Sequence, residues 1–545
     1  MTRERTTRIC LLATLCIITF FVNNHIINTD IMESRNIITA REMVYDGNWI
    51  IPTMNGEPRL EKPPLPTWIT AVAEMISPDN ISLQRGMAAL AAILLVAYFY
   101  LFASRIMKQN PLAPTLLLCT CYNIILMGRT ASWDIYCHAF MMAAIYHTAR
   151  ALTKDKHSLR NFIIAGIFSG LSIQSKGPVS PYALLLPFII AFAITARPNG
   201  KKHIKAITTA IIVALVLGSS WYVYVNLTCT DTLHAVIEKE SGSWINHNVR
   251  AWYYYWKFFL ETGVWSLLLL TAIILPLFNR NQRTQKQYLF PLLWLTASLV
   301  LLSLLPEKQS RYLLPMLIPA CYLMGTMVNR WITEFRNNKY TTIDKISMRT
   351  NTLLIALATI ILPIAAWIFL YKPEHITLTE LIITAITAAI IATLLIISAL
   401  KLRPMMMLIS VTTMFLLADC FALPMIAKVI NNQQRRSIAL TRDIKEIKNI
   451  PFYHSESEPL RIELVYAANK KIKPLNIKNR DSLLAKTPCV ILTHKPLSQT
   501  VAQSTLKDID TIYIGIYDDN RRPKGTRRYS DEFIYHLTLL KQHQK

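Results

Sequence analysis

The sequence predicts a polytopic α-helical membrane protein with about thirteen transmembrane helices. Interfacial helices are expected in its first external loop, and a small external α/β domain at its C-terminus. Three observations predict this. Apolar residues make up 52% of the 545-residue chain, and its mean hydropathy is +0.31, which excludes an ordinary soluble enzyme. Apolar runs long enough to cross about 30 Å of hydrocarbon recur up to residue 428. Every second connection between those runs is rich in Lys and Arg.

The expected spans cover residues 8–27, 87–106, 111–128, 135–152, 161–175, 178–196 and 205–227, then 263–279, 288–305, 312–329, 352–371, 377–400 and 404–428. A net charge of +25 suggests nucleic acid at first. Its distribution does not. Arg3, Arg5 and Arg8 open the series; Arg105 and Lys108, then Arg150, Lys154, Lys156 and Arg160, continue it. The same alternation returns at 197–205, 280–286, 330–349 and 401–403. This is the positive-inside pattern, so the N-terminus is expected in the cytoplasm and the tail outside. No nucleic-acid partner is expected; the partner is the membrane. Residues 8–23 lack a following small-residue cleavage site and read as an uncleaved first span.

Of the nine cysteines, Cys16, Cys119, Cys121, Cys321 and Cys420 fall inside spans, where a thiol usually packs as a small apolar group. Cys229 and Cys489 face outside, too few for a disulfide framework. The expected domains are residues 1–429, the membrane part, and 430–545, an external α/β domain. In that tail "RRSIALTRDIKEIKNI" is helix-like, and "RIELVYAA", "CVILTH" and "TIYIGIY" are strand-like. No Gly-rich phosphate loop accompanies them.

The first external loop, residues 28–86, is the most informative stretch. "DIMESRNIITAREMVYDGNW" spaces Ile31, Ile38 and Val44/Tyr45 as an amphipathic helix lying on the membrane surface. "NGEPRLEKPPLPTW" follows. Lys62 precedes Pro63, which pushes it out of helical geometry, and Pro64 suits the first turn of the next helix. That helix sets Leu65, Trp68, Ile69, Val72 and Ile76 on one side. A lysine at a positive helix end beside an apolar surface is a seat for a lipid phosphate, or else a lysine snorkelling at the membrane edge. Arg59, on the same loop, lacks the proline brace.

Charges at the outer mouths of spans extend the pattern. Asp30 and Glu33 are spaced to share a helix face, either as an acid–base pair or as a favourable helix start. Asp134 in "MGRTASWDIYCHAF" sits where a helix cap would, yet Arg129 beside it is not explained by capping. Lys176 in "SKGPVSP" and Lys308, Arg311 and Tyr312 in "PEKQSRYLLP" fall in outer connections. So do His247 and Arg250 in the aromatic "ESGSWINHNVRAWYYYWKFF". Charges at such depths cost a few kcal/mol each unless paired or hydrated, so function is their default reading.

"ESRNIITAREMVYDGNWIIPTMNGEPRLEKPPLPTW" strongly resembles the first periplasmic loop of bacterial GT-C glycosyltransferases, the aminoarabinose (lipid A) transferase and protein O-mannosyltransferase-like family. "GRTASWD", "SKGP" and "KQSRYLLP" are similar to its later landmarks, in the same order. The resemblance implies transfer of a sugar, with inversion, from a polyprenyl (undecaprenyl) phosphate carrier to a lipid or glycan acceptor at the outer face of the inner membrane. It implies that Lys62, Arg35, Lys176 and Tyr312 lie at the donor phosphate; the outer cations Arg250 and Arg311 are expected to share that task, with Glu61 and Lys308 in support. Asp30, Glu33 and Asp134 are the implied catalytic carboxylates. Met32 stands where the family commonly has Asp, so either Asp30 or Glu33 supplies the first of them. No cofactor is required beyond the lipid-linked donor; Glu61 and His247 are the candidates should a divalent metal bind.

Two other readings compete. A transporter or flippase of a polyprenyl-linked sugar would place charges at the midplane and show inverted repeats. A protein O-glycosyltransferase would differ only in acceptor. Reporter fusions after Arg160, Arg336 and Asn432 check the topology, with the first two expected inside and the third outside. A cytoplasmic tail would overturn it.

Overall fold

A computed structural model of the chain describes residues 3–153, 157–246, 248–278, 285–431, 435–527 and 529–543. It forms two compact units. The first comprises Met1–Asn24, Leu60–Ile69 and Asn80–Met425; the second comprises His25–Arg59, Thr70–Asp79 and Ile426–Lys545. The first loop falls largely in the same unit as the C-terminal tail.

The first unit is a multi-pass helical bundle. It opens with α1 (Arg3–Phe21) and, after the loop, takes in the start of α3 (Leu65–Ile76) and α4 (Ile81–Arg105). Then come α5 (Leu112–Cys119), α6 (Tyr122–Gly128), α7 (Trp133–Thr153) and α8 (Ser158–Lys176), followed by α9 (Leu186–Ala196), α10 (Ile204–Thr228), α11 (Thr230–Asn246) and α12 (Ser266–Ile274). Long helices at Lys286–Leu304, Leu314–Arg336, Thr342–Ala366, Leu378–Leu400 and Pro404–Leu417 complete it. Each of the thirteen expected stretches carries helix. Among the described residues, eight helical segments are long and apolar enough to cross a membrane, and Ile9–Phe21, Leu65–Ile76 and Pro181–Ala196 are shorter apolar helices.

The stretch expected to cross at 111–128 is broken. Cys121 is extended (φ −78°, ψ 124°), so α5 and α6 are separate. Thr120 makes the break tolerable. Its hydroxyl donates to the Leu116 carbonyl at 2.7 Å and accepts from the Trp265 indole at 2.8 Å. The core is aromatic: Phe99 stacks on Tyr322 with centroids 3.9 Å apart, and Phe102, Phe188, Phe290 and Trp294 surround them. Helix α3 turns its apolar side outward, with Val72 46% and Ile76 67% exposed, while Thr67, Thr70 and Glu74 are buried. That is the polarity of an interfacial helix.

The second unit holds a five-stranded sheet of order β4-β3-β5-β7-β6, besides the small hairpin β1 (Thr53–Met54) and β2 (Glu57–Pro58). Strands β3 (Phe452–Ser455), β4 (Ile472–Leu475) and β5 (Cys489–Thr493) are parallel. Strands β6 (Ile509–Asp518) and β7 (Ile534–Gln542) add antiparallel partners, giving the expected α/β character. Three local expectations are corrected. "RIELVYAA" forms a helix, Ile462–Ala468, because Leu464, Val465 and Ala468 bury at helical spacing. "RRSIALTRDIKEIKNI" forms only two 3₁₀ turns, since Ser437 bonds locally to the Ala439 amide and Ile444 is extended. Helix α2 (Ile31–Asp46) does not spread an apolar face outward; Ile38 joins the unit's core with Phe452, Leu464 and Val465, while Tyr45 is exposed.

Gly325 lies close against Pro114 of α5. A Cβ there would lie 2.5 Å from Pro114 Cβ and 2.8 Å from its Cα. Gly325→Ala should therefore destabilise by about 1–3 kcal/mol through overpacking. Gly200→Ala, where a Cβ meets nothing within 4 Å, should not. Thermal unfolding in detergent compares the two.

Candidate active site

In the first unit, α7 and α8 bring two predicted residues together. Asp134 lies in the first turn of α7 and Lys176 is the last residue of α8, each at the helix end whose dipole favours its charge. Gly177, at φ 68°, turns the chain directly after the lysine. Both residues are buried, and the Lys176 ammonium pairs with Asp134 Oδ1. The same ammonium lies 5.3 Å from the centre of the Tyr312 ring, and the Arg311 guanidinium lies 5.5 Å from it. Tyr312 donates its hydroxyl to Glu307 Oε1 at 3.2 Å. Among the described residues, Arg311 Nε is buried without a hydrogen-bond partner.

His138 and Ser180 complete this cluster and were not anticipated. His138 sits one turn below Asp134 on α7, and its Nδ1 is 2.8 Å from Ser180 Oγ. The i,i+4 spacing from Asp134 was the available signal.

Other predicted residues take different parts. Lys308 is buried and donates to the carbonyls of Arg250, at 3.2 Å, and Leu305. Burial lowers its pKa from the ordinary value. It is a backbone brace. The Arg250 amide donates to the Pro306 carbonyl at 3.3 Å, while its exposed guanidinium makes no hydrogen bond or ion pair among the described residues. Lys62 and Glu61 are half-buried, just ahead of α3. Arg129, which capping left unexplained, is also a brace. It pairs with Asp419 at 3.1 Å and donates to the carbonyls of Thr19, at 2.6 Å, and Ile18, at 3.3 Å.

In the second unit, Asp30 caps α2, its Oδ1 accepting from the Glu33 amide at 2.7 Å. Glu33 itself is fully buried (0% exposed), so it is no solvated helix start. Arg35 follows half-buried. Arg59, which lacks the proline brace, is buried and donates to the Arg35 carbonyl at 3.0 Å and to Thr39 Oγ1 at 3.1 Å. A cleft of about 160 Å³ beside α2 is lined by Arg41, Glu42, Asp46 and Lys471. Two of its cations are paired, Lys471 with Asp46 at 2.8 Å and Arg41 with Asp79. Among the described residues, no group of three or more His, Cys, Asp or Glu is arranged for a metal. His247 lies outside the described residues.

Residues 61–224 match the family model described as dolichyl-phosphate-mannose-protein mannosyltransferase. The chain is similar to an undecaprenyl phosphate-alpha-4-amino-4-deoxy-L-arabinose arabinosyl transferase of Pseudomonas fluorescens. The two are 25% identical over 317 residues, 55% of this chain and 54% of that one. The corresponding transferase of Pseudomonas savastanoi pv. phaseolicola is 23% identical over 368 residues, 65% and 67% of the two chains. The chain thus spans just over half the length of the first of these relatives. The crystal structure of ArnT from Cupriavidus metallidurans bound to undecaprenyl phosphate aligns over 98% of both chains, with a TM-score of 0.69 at 14% identity. The chain has the ArnT-type fold. Lys62, Asp134 and Lys176 fall inside the segment matched by the family model; Asp30, Glu33, Arg311 and Tyr312 lie outside it.

Removing one partner of the buried Asp134–Lys176 pair strands the other at about 3–5 kcal/mol. Asp134→Ala should lower the thermal midpoint by several degrees, and adding Lys176→Met should recover most of the loss. An ordinary cap predicts about 1 kcal/mol and no recovery. Thermal unfolding of both variants separates the two.

Proposed function

We propose that the protein is an inverting glycosyltransferase that moves a sugar from a polyprenyl phosphate carrier to an acceptor at the outer face of the inner membrane. Its N-terminus is cytoplasmic and its C-terminal domain periplasmic. One observation carries the reading. Two cations, Lys176 and Arg311, share the Tyr312 ring, with Asp134 paired to the lysine and Glu307 on the ring hydroxyl, and a buried Arg311 Nε–H has no acceptor among the described residues. Fixed cations with a donor to spare suit a phosphate. Relatives named as undecaprenyl phosphate-aminoarabinose transferases support an undecaprenyl carrier and an aminoarabinose sugar; lipid A is the acceptor that the sequence resemblance implies.

The acceptor oxygen attacks the sugar's anomeric carbon, the bond to the carrier oxygen breaks, and the carrier phosphate leaves with the electron pair. Lys176, Arg311 and Tyr312, with Lys62, Arg35 and Arg250 as further donors, stabilise the charge that builds on the departing oxygen. A fixed cation lowers the transition state more than the ground state only where charge develops, as it does here. Lys62 has the added advantage of a proline-set backbone and the N-terminal end of α3. Asp30 or Glu33 orients the acceptor, or takes its proton when the acceptor is a hydroxyl. A phosphate acceptor is already ionised and loses none. The protein mannosyltransferase match of residues 61–224 favours a second reading, with a protein hydroxyl as acceptor.

Mass spectrometry of lipid A, surface glycans and envelope proteins from cells with and without the gene identifies the product. An added aminopentose on lipid A phosphate is the expected result, and a glycosylated protein would establish the second reading. In the cells that form product, Asp134→Asn, and at least one of Asp30→Asn and Glu33→Gln, should lower transfer by about 10²–10⁴-fold. Lys62→Ala should weaken both donor binding and turnover, and the exposed Lys201→Ala neither. Full activity in every carboxylate variant would overturn the mechanism.

A further inference from the structure

The loop after β6 carries "DDNRRPKG", which the catalytic reading leaves unused. Two of its residues are buried and saturated with hydrogen bonds. Asp519 accepts from Arg435 Nη2 at 2.6 Å, Ser437 Oγ at 2.6 Å and the Ile438 amide at 2.9 Å. Asn520 donates from its amide and its side chain to Asp518 Oδ1, both at 2.8 Å. It also exchanges bonds of 2.9 Å with the backbone of Ser530. The next residue, Arg521, is therefore held by a rigid base. Its Nη2 donates to the carbonyl of Thr29, the residue just before the α2 cap Asp30.

The surroundings of that guanidinium are acidic. Burial lowers the Arg521 pKa, Arg435 adds to the effect, and the carboxylates of Glu463, Asp30 and Glu33 oppose it. Asp30 and Glu33 are three positions apart on one helical turn, where like charges repel. A cation beside both offsets that repulsion, and its bond to Thr29 satisfies a carbonyl at the point where the chain enters α2.

We infer that Arg521 is a positioning residue for the reaction: it fixes the backbone entering α2 and thereby sets the two carboxylates Asp30 and Glu33. This rests on the reading that one of those carboxylates serves transfer. It gives the C-terminal domain a part in the reaction, exerted through the helix start and not by contact with substrate.

The test uses the full-length protein in detergent, with undecaprenyl-phosphate-linked aminoarabinose as donor and lipid A as acceptor. Arg521→Gln should raise amide exchange across residues 30–36 by about tenfold, while strands β3 and β5 stay protected. It should lower kcat by about tenfold or more and leave the donor KM within about twofold. Arg521→Lys, which keeps the charge and can still donate to the Thr29 carbonyl, should recover most of kcat. Lys524→Gln, exposed on the same loop, should change neither quantity. Unchanged exchange at 30–36, a KM that rises as much as kcat falls, or failure of the lysine to rescue would each overturn the inference. A wild type that transfers nothing overturns the functional reading alone, and the exchange result still decides whether Arg521 sets this segment. Should Arg521→Gln not accumulate, Arg521→Lys decides, with exchange at 30–36 expected above wild type and below about tenfold.

Discussion

The ion pair between Asp134 and Lys176 is the contact on which the polar interior of the bundle turns. A carboxylate and an ammonium taken from water must find each other or cost several kcal/mol apiece. Here each stands at the helix end whose dipole suits it, so α7 and α8 meet in a fixed register. His138, one turn deeper, ties the same two segments through Ser180. The Tyr312 ring then receives Lys176 and Arg311 on its face, joining the helix Leu314–Arg336 to the group through its leading turn.

The bundle contains other buried charges, and the contrast with them is informative. Arg129 divides its donors among Asp419 and the carbonyls of Thr19 and Ile18. Arg330 pairs with Glu334 and Asp344, and Asp344 also accepts from Trp331 at 3.1 Å. Lys308 spends its ammonium on two carbonyls. Arg129 and Lys308 hold backbone in place, while Arg330 joins side chains. Arg129 Nη1 and Arg311 Nε are both buried without an acceptor among the described residues, and what sets Arg311 apart is the ring it shares with a second cation.

The helices were readable because a run of apolar residues reports membrane depth without any knowledge of neighbours. The residues of the Asp134 cluster were readable for the complementary reason, since a charge at the mouth of such a run stands out. What escaped depends on partners distant in sequence. The break at Thr120 is satisfied by Trp265, and nothing near residue 120 announces that indole. His138 resembles any histidine on a helix until Ser180 is placed against it. Lys308 and Arg250 looked alike as outer cations, yet one is buried under carbonyls and the other exposed, a distinction made by backbone pairing between residues 248–250 and 306–308. Helix α2 was misjudged because its apolar spacing fits a lipid surface and a protein core equally; the sheet that covers Ile38 lies more than four hundred residues later in the chain.

Asp30 and Glu33 divide the work of one short segment. Asp30 holds the helix start by accepting from the amide of Glu33, and so fixes the residue that carries the second carboxylate. Glu33 is fully enclosed, whereas Asp30 is exposed. An enclosed carboxylate is a poor surface ornament, because burying its charge must be repaid by nearby donors or cations. An exposed cap carries no such cost. The burden of enclosure therefore falls on Glu33, and the burden of geometry on Asp30, so losing either acid disturbs the other. The departure at Met32 becomes intelligible on this basis. With the cap two positions before Met32 and the enclosed acid directly after it, the helix start retains two acids without one at the intervening position.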